Sequence, residues 1–256
     1  RLLGVSLVIK YGGNAMTDPA TRRAVAAGLR AMSAHATPPV VVHGGGPFIQ
    51  AALDAAGLAH SFVRGLRVTS PESMVVIERV LTLLGKELAQ EIGPAVGLTA
   101  RDAGAITARV RDPELGLVGR VTSVDLRAMR AVRAGGLVPV LACLAVDAAG
   151  APLNVNGDEA AGAVAAALGE GVLFLTNVPG VLDDPADPAT LLPRLTRGDA
   201  ERRVADGRIA GGMIPKVEAA LTALALGAPF AVVADGRDPG GVARALAGGG
   251  TRVVAD

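Results

Sequence analysis

The sequence predicts an α/β protein: a three-layer αβα sandwich around a mainly parallel central sheet. Three observations predict it. Short apolar runs at residues 2–9, 40–43, 137–146, 171–176, 229–234 and 251–254 read as buried strands. Segments with helical spacing lie between them, at 19–35, 47–56, 71–92, 124–133, 196–205 and 239–247. Glycines cluster where strands end or helices open, at 12–13, 44–46 and 211–212. Alternation of strand and helix favours parallel strands covered on both faces.

The first strand ends in Lys10-Tyr11-Gly12-Gly13. The second runs straight into Gly44-Gly45-Gly46-Pro47, and its helix is closed by Gly57. Residues 59–69 read as a hairpin or loop. The longest helical pattern follows at 71–92, with Met74, Ile77, Val80, Leu81, Leu84 and Leu88 on one broad face. Residues 95–124 mix short alternating runs with glycines and read as a small β excursion. The run 137–146 reads as one buried strand. Residues 153–158, Leu-Asn-Val-Asn-Gly-Asp, precede an Ala-rich helix ending at Leu168. Thr196 and Asp199 stand at capping-box spacing, and the segment 211–216 leads into a helix through Leu226. No internal repeat or long linker interrupts the 256 residues, so they are expected to form one domain of two lobes, 1–170 and 171–256.

Half of the chain is hydrophobic, 19% is charged and the net charge is +1. No basic run or stripe suggests a nucleic acid or an anionic membrane as partner. Aromatics are 2%, too few for a base-stacking platform. The single cysteine, Cys143, excludes an internal disulfide framework and reads as a small core residue. No apolar run reaches the ~20 residues of a membrane span. No signal-peptide pattern precedes the first strand, and the expected location is cytoplasmic.

Backbone N–H groups at a strand-to-helix glycine turn make an anion site. The common nucleotide motifs fail, however. Gly44 and Gly46 fit G-x-G-x-x-G, but Ile49 stands at the third position. A Walker A loop is absent, because Gly85-Lys86 lies within a helical pattern and Glu87 follows. The protein-kinase signature set, a G-x-S-x-G elbow and metal-spaced histidines are absent as well. Lys10, at the end of a buried strand, either snorkels to solvent or faces a ligand. Lys216, at a helix start, opposes the dipole unless it points toward an anion. Asp158 follows Asn154 and Asn156 near another helix start, and from the residues alone it reads as an ordinary N-terminal helix acid or as a functional group.

The strings IKYGGNAM, VVHGGGP, RGLRVT, LNVNGDEAA, TNVPGV and GGMIPK occur in this order across the chain. Together they resemble the acetylglutamate kinases, a branch of the amino-acid kinase family. The resemblance implies the amino-acid kinase fold. It also implies ATP- and Mg²⁺-dependent phosphorylation of the side-chain carboxylate of N-acetyl-L-glutamate in arginine biosynthesis. Lys10, Lys216 and Asp158 would be catalytic. Gly45, Gly46, Arg67 and Asn154 would bind the acceptor. Gly12, Gly13, Gly44, Asn177, Val178, Gly180, Val181, Leu182, Arg208, Ile209 and Ala210 would bind ATP and its phosphates. No protein ligand for the metal is implied. The acceptor's carboxyl group, with a pKa of about 4.3, is already ionised near neutrality and needs no general base.

The resemblance also implies a homodimer across the helix at 71–92. Arginine-inhibited members carry an extra N-terminal helix and a C-terminal pattern with His and Glu before G-x-G-T. Here residues 246–251 read Leu-Ala-Gly-Gly-Gly-Thr, without either residue nearby, so insensitivity to arginine is expected. The alternatives are a kinase for acetylated or carrier-linked α-aminoadipate or glutamate in lysine synthesis, and a non-catalytic sensor on the same fold. The intact GLRVT speaks against the first, and retention of Lys10, Asp158 and Lys216 against the second.

Overall fold

Strand β1 (Leu7–Tyr11) sends Leu7, Ile9 and Tyr11 into one hydrophobic core and Val8 into another, so Lys10 shares the face of Val8. That alternation places two cores on opposite sides of one sheet. The computed structural model describes residues 6–33, 37–184, 186–237 and 240–256. The expected strand residues 2–5, the helix end at His35 and the helix start at Pro239 lie outside the described residues.

After β1 come α1 (Pro19–Ser33), β2 (Val40–His43) and α2 (Gly46–Ala55). A short hairpin, β3 (Phe62–Val63) and β4 (Leu66–Arg67), leads to α3 (Pro71–Ile92). Then follow β5 (Ala95–Thr99), β6 (Ile106–Val110), β7 (Val118–Val124), α4 (Arg127–Ala134), β8 (Val138–Ala142), β9 (Leu144–Val146), β10 (Pro152–Val155) and α5 (Gly157–Leu168). The second half holds β11 (Gly171–Thr176), β12 (Arg194–Thr196), α6 (Arg197–Ala205), α7 (Ile214–Leu226), β13 (Ala231–Asp235), α8 (Gly241–Ala247) and β14 (Thr251–Val254).

Among the described residues the main sheet has eight strands in the order β12-β14-β13-β11-β1-β2-β8-β5. The run from β13 to β5 is parallel throughout. β14 turns antiparallel to β13, and β12 follows β14. One core packs α1, α8 and the second half of α3 against Leu7, Ile9, Val41 and Leu173. The other packs α5 and α7 against Val8, Val42, Val172 and Val233. The three-layer αβα architecture is therefore as expected, with a mainly parallel sheet.

Several boundaries differ from the sequence reading, each for a tertiary reason. The run 137–146 splits at Cys143: β8 stays in the main sheet, and β9 crosses to a small barrel ordered β10-β7-β6-β9. Residues 95–124 are likewise divided, because β5 forms the edge of the main sheet and only β6 and β7 join the barrel. The helix expected at 124–133 begins at Arg127, because Val124 still pairs with Ile106. The strand β12 carries no clear pattern in the sequence, being three residues long with Arg194 exposed.

Helix starts follow local chemistry. Ser70 caps α3, its side chain accepting from the Ser73 N–H at 3.1 Å, with Pro71 next. Thr196 caps α6 by accepting from Asp199 N–H, in keeping with the capping-box spacing. Asn156 caps α5, its Oδ1 accepting from the N–H groups of Asp158 and Glu159. α5 and α7 lie close: a Cβ on Gly162 would stand 3.1 Å from Ala223 Cα. Small residues permit that approach and set the two helix starts, with Asp158 and Lys216, at the same sheet edge.

Candidate active site

The chain builds outward from β1 in two directions. β2, β5 and β8 extend the sheet on one side, and β11, β13, β14 and β12 on the other. The switch point therefore lies between β1 and β11, and parallel sheets hold ligands outside the carboxyl ends of strands at such a point. A cavity of about 280 Å³ sits there, lined by Lys10, Gly12, Gly13, Asp158, Asn177 and Lys216 among others. A second cavity, of about 610 Å³, opens beside it under the β3–β4 hairpin. Gly44, Gly45, Gly46, Arg67, Asn154 and Asn156 help to line that one.

The junction of the two cavities is tight. Lys10 Nζ lies 2.9 Å from Asp158 Oδ1. A Cβ on Gly157 would stand 3.5 Å from Lys10 Cε, 3.9 Å from Cys143 Sγ and 4.0 Å from Gly44 Cα. The Lys10 stem thus passes between the starts of α5 and α2. Gly44 N–H donates to Tyr11 O at 3.0 Å, which ties the triple-glycine turn to the end of β1. Gly45 accepts the first helical bond of α2, from Ile49 N–H. A side chain at Gly45 would put its Cβ 2.7 Å from Leu81 Cδ2, so close packing of α3 keeps this turn bare.

Charge is arranged around Asp158. Burial lowers the Lys216 pKa, the Asp158 carboxylate opposes that shift, and the nearby Lys10 ammonium adds to it. Two ammonium groups thus face one carboxylate, leaving surplus positive charge beside the helix starts. Such a site can hold and stabilise a phosphoryl group.

Arg67 supplies the positive charge of the larger cavity. It is 8% exposed, its Nη2 donates to Gly46 O at 3.2 Å, and its guanidinium lies 4.6 Å from the Phe62 ring centroid. Its Nη1 is buried and has no hydrogen-bond partner among the described residues. A buried, unpartnered guanidinium nitrogen in a cavity wall is suited to a carboxylate. Asn154 donates from Nδ2 to Thr69 Oγ1 at 3.1 Å, which fixes the orientation of its amide.

A sequence profile described as the amino acid kinase family matches residues 6–235. The chain belongs to the amino acid kinase family. Acetylglutamate kinase from Deinococcus radiodurans is 53% identical over 249 residues, covering 97% of this chain and all of that one. An acetylglutamate kinase from Thermus thermophilus is 47% identical over 235 residues, covering 90% of this chain and 91% of that one. The solved structure of smu.665 from Streptococcus mutans UA159 superposes with a TM-score of 0.76 at 28% identity, covering 98% of each chain. Carbamate kinase from Giardia lamblia shares the fold at 17% identity, with a TM-score of 0.69 over the whole of both chains.

In this amino acid kinase chain the residues expected at the site fall into three groups. Lys10, Gly12, Gly13, Asp158, Asn177 and Lys216 surround the smaller cavity. Gly44, Gly45, Gly46, Arg67 and Asn154 surround the larger one. Val178, Gly180, Val181, Leu182, Arg208, Ile209 and Ala210 line neither. The Val181, Leu182 and Ile209 side chains are buried in the core, and Arg208 pairs with Asp206 at 2.6 Å.

Sequence reasoning passed over Asn156, Gly157, Thr176 and Pro215, which also line the cavities. The Asn at a helix start was a capping signal that could have singled out Asn156. Cys143 lines the larger cavity, yet burial pushes its thiol up to about 11. It should therefore react with an aromatic disulfide at pH 8 far more slowly than a free thiol of ordinary pKa ~8.5. Stopped-flow labelling of native against urea-unfolded protein measures this, and equal rates would contradict the burial.

Proposed function

We propose that this protein transfers the γ-phosphoryl group of ATP to the side-chain carboxylate of N-acetyl-L-glutamate, giving N-acetyl-L-glutamyl 5-phosphate for arginine biosynthesis. The observation that carries the reading is the Lys10–Asp158 ion pair at the junction of two cavities, one walled by Arg67 and the other by Lys216. The identity to the two acetylglutamate kinases supports it.

The acceptor carboxylate attacks the γ-phosphorus, the bond to the β–γ bridging oxygen breaks, and ADP leaves. No proton moves at the acceptor, because its carboxylate is already ionised. The difficulty is the approach of two anions, and catalysis then rests on position and charge. Lys10 would neutralise the transferring group and Lys216 the leaving side, while Asp158 orients both. The N–H groups at Gly12 and Gly13 would face the phosphoryl oxygens, with the side-chain-free Gly44, whose own N–H is bonded to Tyr11 O, lying beside them. Gly45, Gly46 and Asn154 would hold the acceptor, with Arg67 on its α-carboxylate. The backbone at 177, 178, 180–182 and 208–210 would hold the nucleotide.

Mg²⁺ would ride on the ATP phosphates and supply charge neutralisation there. Asp158, the carboxylate at the smaller cavity, is engaged by Lys10, which fits an ion carried by the nucleotide rather than by a protein cage. The two sides of the switch point support a division into an acceptor lobe, 1–170, and a nucleotide lobe, 171–256. A homodimer across α3 is supported by the exposed Val75 and Leu83 on that helix. A biosynthetic role of this kind suits the cytoplasm. Among the described residues no helix is long and apolar enough to cross a membrane.

The test is ADP release coupled to hydroxylamine trapping of the acyl phosphate. N-acetyl-L-glutamate should give an ATP-dependent hydroxamate, and faster than N-acetyl-α-aminoadipate does. No hydroxamate with acetylglutamate would refute the reading. A faster reaction with the longer homologue would move it to lysine-type substrates.

A further inference from the structure

We propose that Thr251 is a positioning residue for the nucleotide, acting through the backbone of the loop that leaves β11 and returns at β12. The proposal rests on the nucleotide reading of residues 177–182 given above. Thr251 opens β14 and is fully buried. Its Oγ1 accepts from Val181 N–H at 2.7 Å and donates to Leu192 O at 2.6 Å. One hydroxyl, from a distant strand, thus clasps both legs of this loop.

The legs also pair with each other. Leu192 N–H donates to Val181 O at 2.9 Å, Asp183 N–H to Thr190 O at 3.0 Å, and Leu182 bridges Leu191. These bonds hold the loop to itself. The Thr251 hydroxyl instead ties it to the main sheet, through the antiparallel pairing of Thr251 with Val233. Because β14 runs against β13, its first residue lies toward the edge where the site opens. Gly180 passes the hydroxyl so closely that a Cβ there would stand 2.7 Å from Thr251 Oγ1, and its φ of +151° disfavours any side chain. The turn at Gly180 and the hydroxyl at Thr251 are therefore fitted to one another.

A valine at 251 would match the threonine in shape and keep the apolar contacts beside Val253. It would leave the buried Val181 N–H without a partner, an unfavourable state that a shift of the loop relieves. The nucleotide-binding backbone would then be displaced, while Lys10, Asp158 and Arg67 stay in place. Loss of the hydroxyl should thus weaken nucleotide binding and spare the acceptor.

The experiment compares Thr251→Val, Thr251→Ser and the parent full-length protein. Calorimetric titration with ADP, KM for ATP and for acetylglutamate, and amide exchange at Val181 without nucleotide are measured. Thr251→Val should weaken ADP binding and raise KM for ATP by roughly tenfold, equivalent to about 1.4 kcal/mol. Its kcat and acceptor KM should stay within about twofold of the parent, and the Val181 amide should exchange faster. Thr251→Ser keeps the hydroxyl and should restore ADP affinity and Val181 protection.

Unchanged ADP affinity in the valine variant overturns the proposal, whatever happens at Val181. Equal loss in the serine variant also overturns it, since the methyl and not the hydroxyl would then matter. If the valine variant does not fold, Thr251→Ala takes its place beside Thr251→Ser: weaker ADP binding in the alanine variant alone supports the proposal, and equal binding in both overturns it. A parent that binds no ADP refutes the nucleotide reading itself, which is a different result from a parent and a Thr251→Val variant that bind ADP equally.

Discussion

Replacing Lys10 with alanine should lower kcat by roughly 10³-fold, the scale of removing a preorganised charge donor from a transition state. The reason is the charge balance at the junction. Lys10 and Lys216 share one carboxylate, Asp158, and the surplus positive charge is what two approaching anions require. Without Lys10 the site becomes neutral, with Asp158 and Lys216 opposing each other. Stability should change little. The Asp158 side chain is 34% exposed and its pair with Lys10 is reached by solvent, so the ion pair contributes less than about 1 kcal/mol. The expected result is therefore a large loss in kcat with a melting temperature near that of the parent. Lys10→Arg should not restore the rate, because the passage between Gly12 and Gly157 holds a narrow alkyl stem and a point charge, not a planar fork. Steady-state kinetics beside thermal unfolding measure both quantities. Near-parental kcat in Lys10→Ala would remove Lys10 from the chemistry.

The parts of the fold legible in the sequence are those where local pattern and tertiary use coincide. β2, α3, β11 and β14 lie at their expected residues, because each is bounded by Gly, Pro or a capping Ser and is used whole by one sheet or one layer. The break at Cys143 was hidden because both sides of it are buried and apolar, so no change of period marks the passage from main sheet to barrel. Of the site, Lys10, Asp158 and Lys216 could be proposed from glycines and helix starts. Their meeting was implied only by the family resemblance, since it depends on the close approach of α5 and α7 and on which face of β1 carries Lys10. Thr251 stood in the sequence only as the end of the Gly248-Gly249-Gly250-Thr251 string, and nothing in that string shows that its hydroxyl spans Val181 and Leu192.

Arg67→Ala should raise KM for N-acetyl-L-glutamate by about 10²-fold, the loss expected for a hydrogen-bonded charge pair of up to ~3 kcal/mol, with a much smaller change in kcat. Arg67 is far from Lys10 in chain position and sits in the other cavity, so it should act on binding more than on the transferring group. KM for ATP should stay near the parental value. Arg67→Lys should rescue little, because one guanidinium nitrogen is committed to Gly46 O while the plane lies against Phe62, and an ammonium cannot reproduce that geometry. Stability gives an independent check with the opposite sign. In the free protein Arg67 is a buried cation whose Nη1 has no partner among the described residues, and burial pulls its pKa down from the ordinary value. Such a desolvated charge weakens the folded state until an anion reaches it. Arg67→Met, which keeps an apolar stem and removes the charge, should melt at or above the parental temperature without ligand. The parent should gain stability on adding acetylglutamate, and Arg67→Met should not. Parental KM in Arg67→Ala, or a full acetylglutamate-induced shift in Arg67→Met, would show that the acceptor's α-carboxylate is held elsewhere.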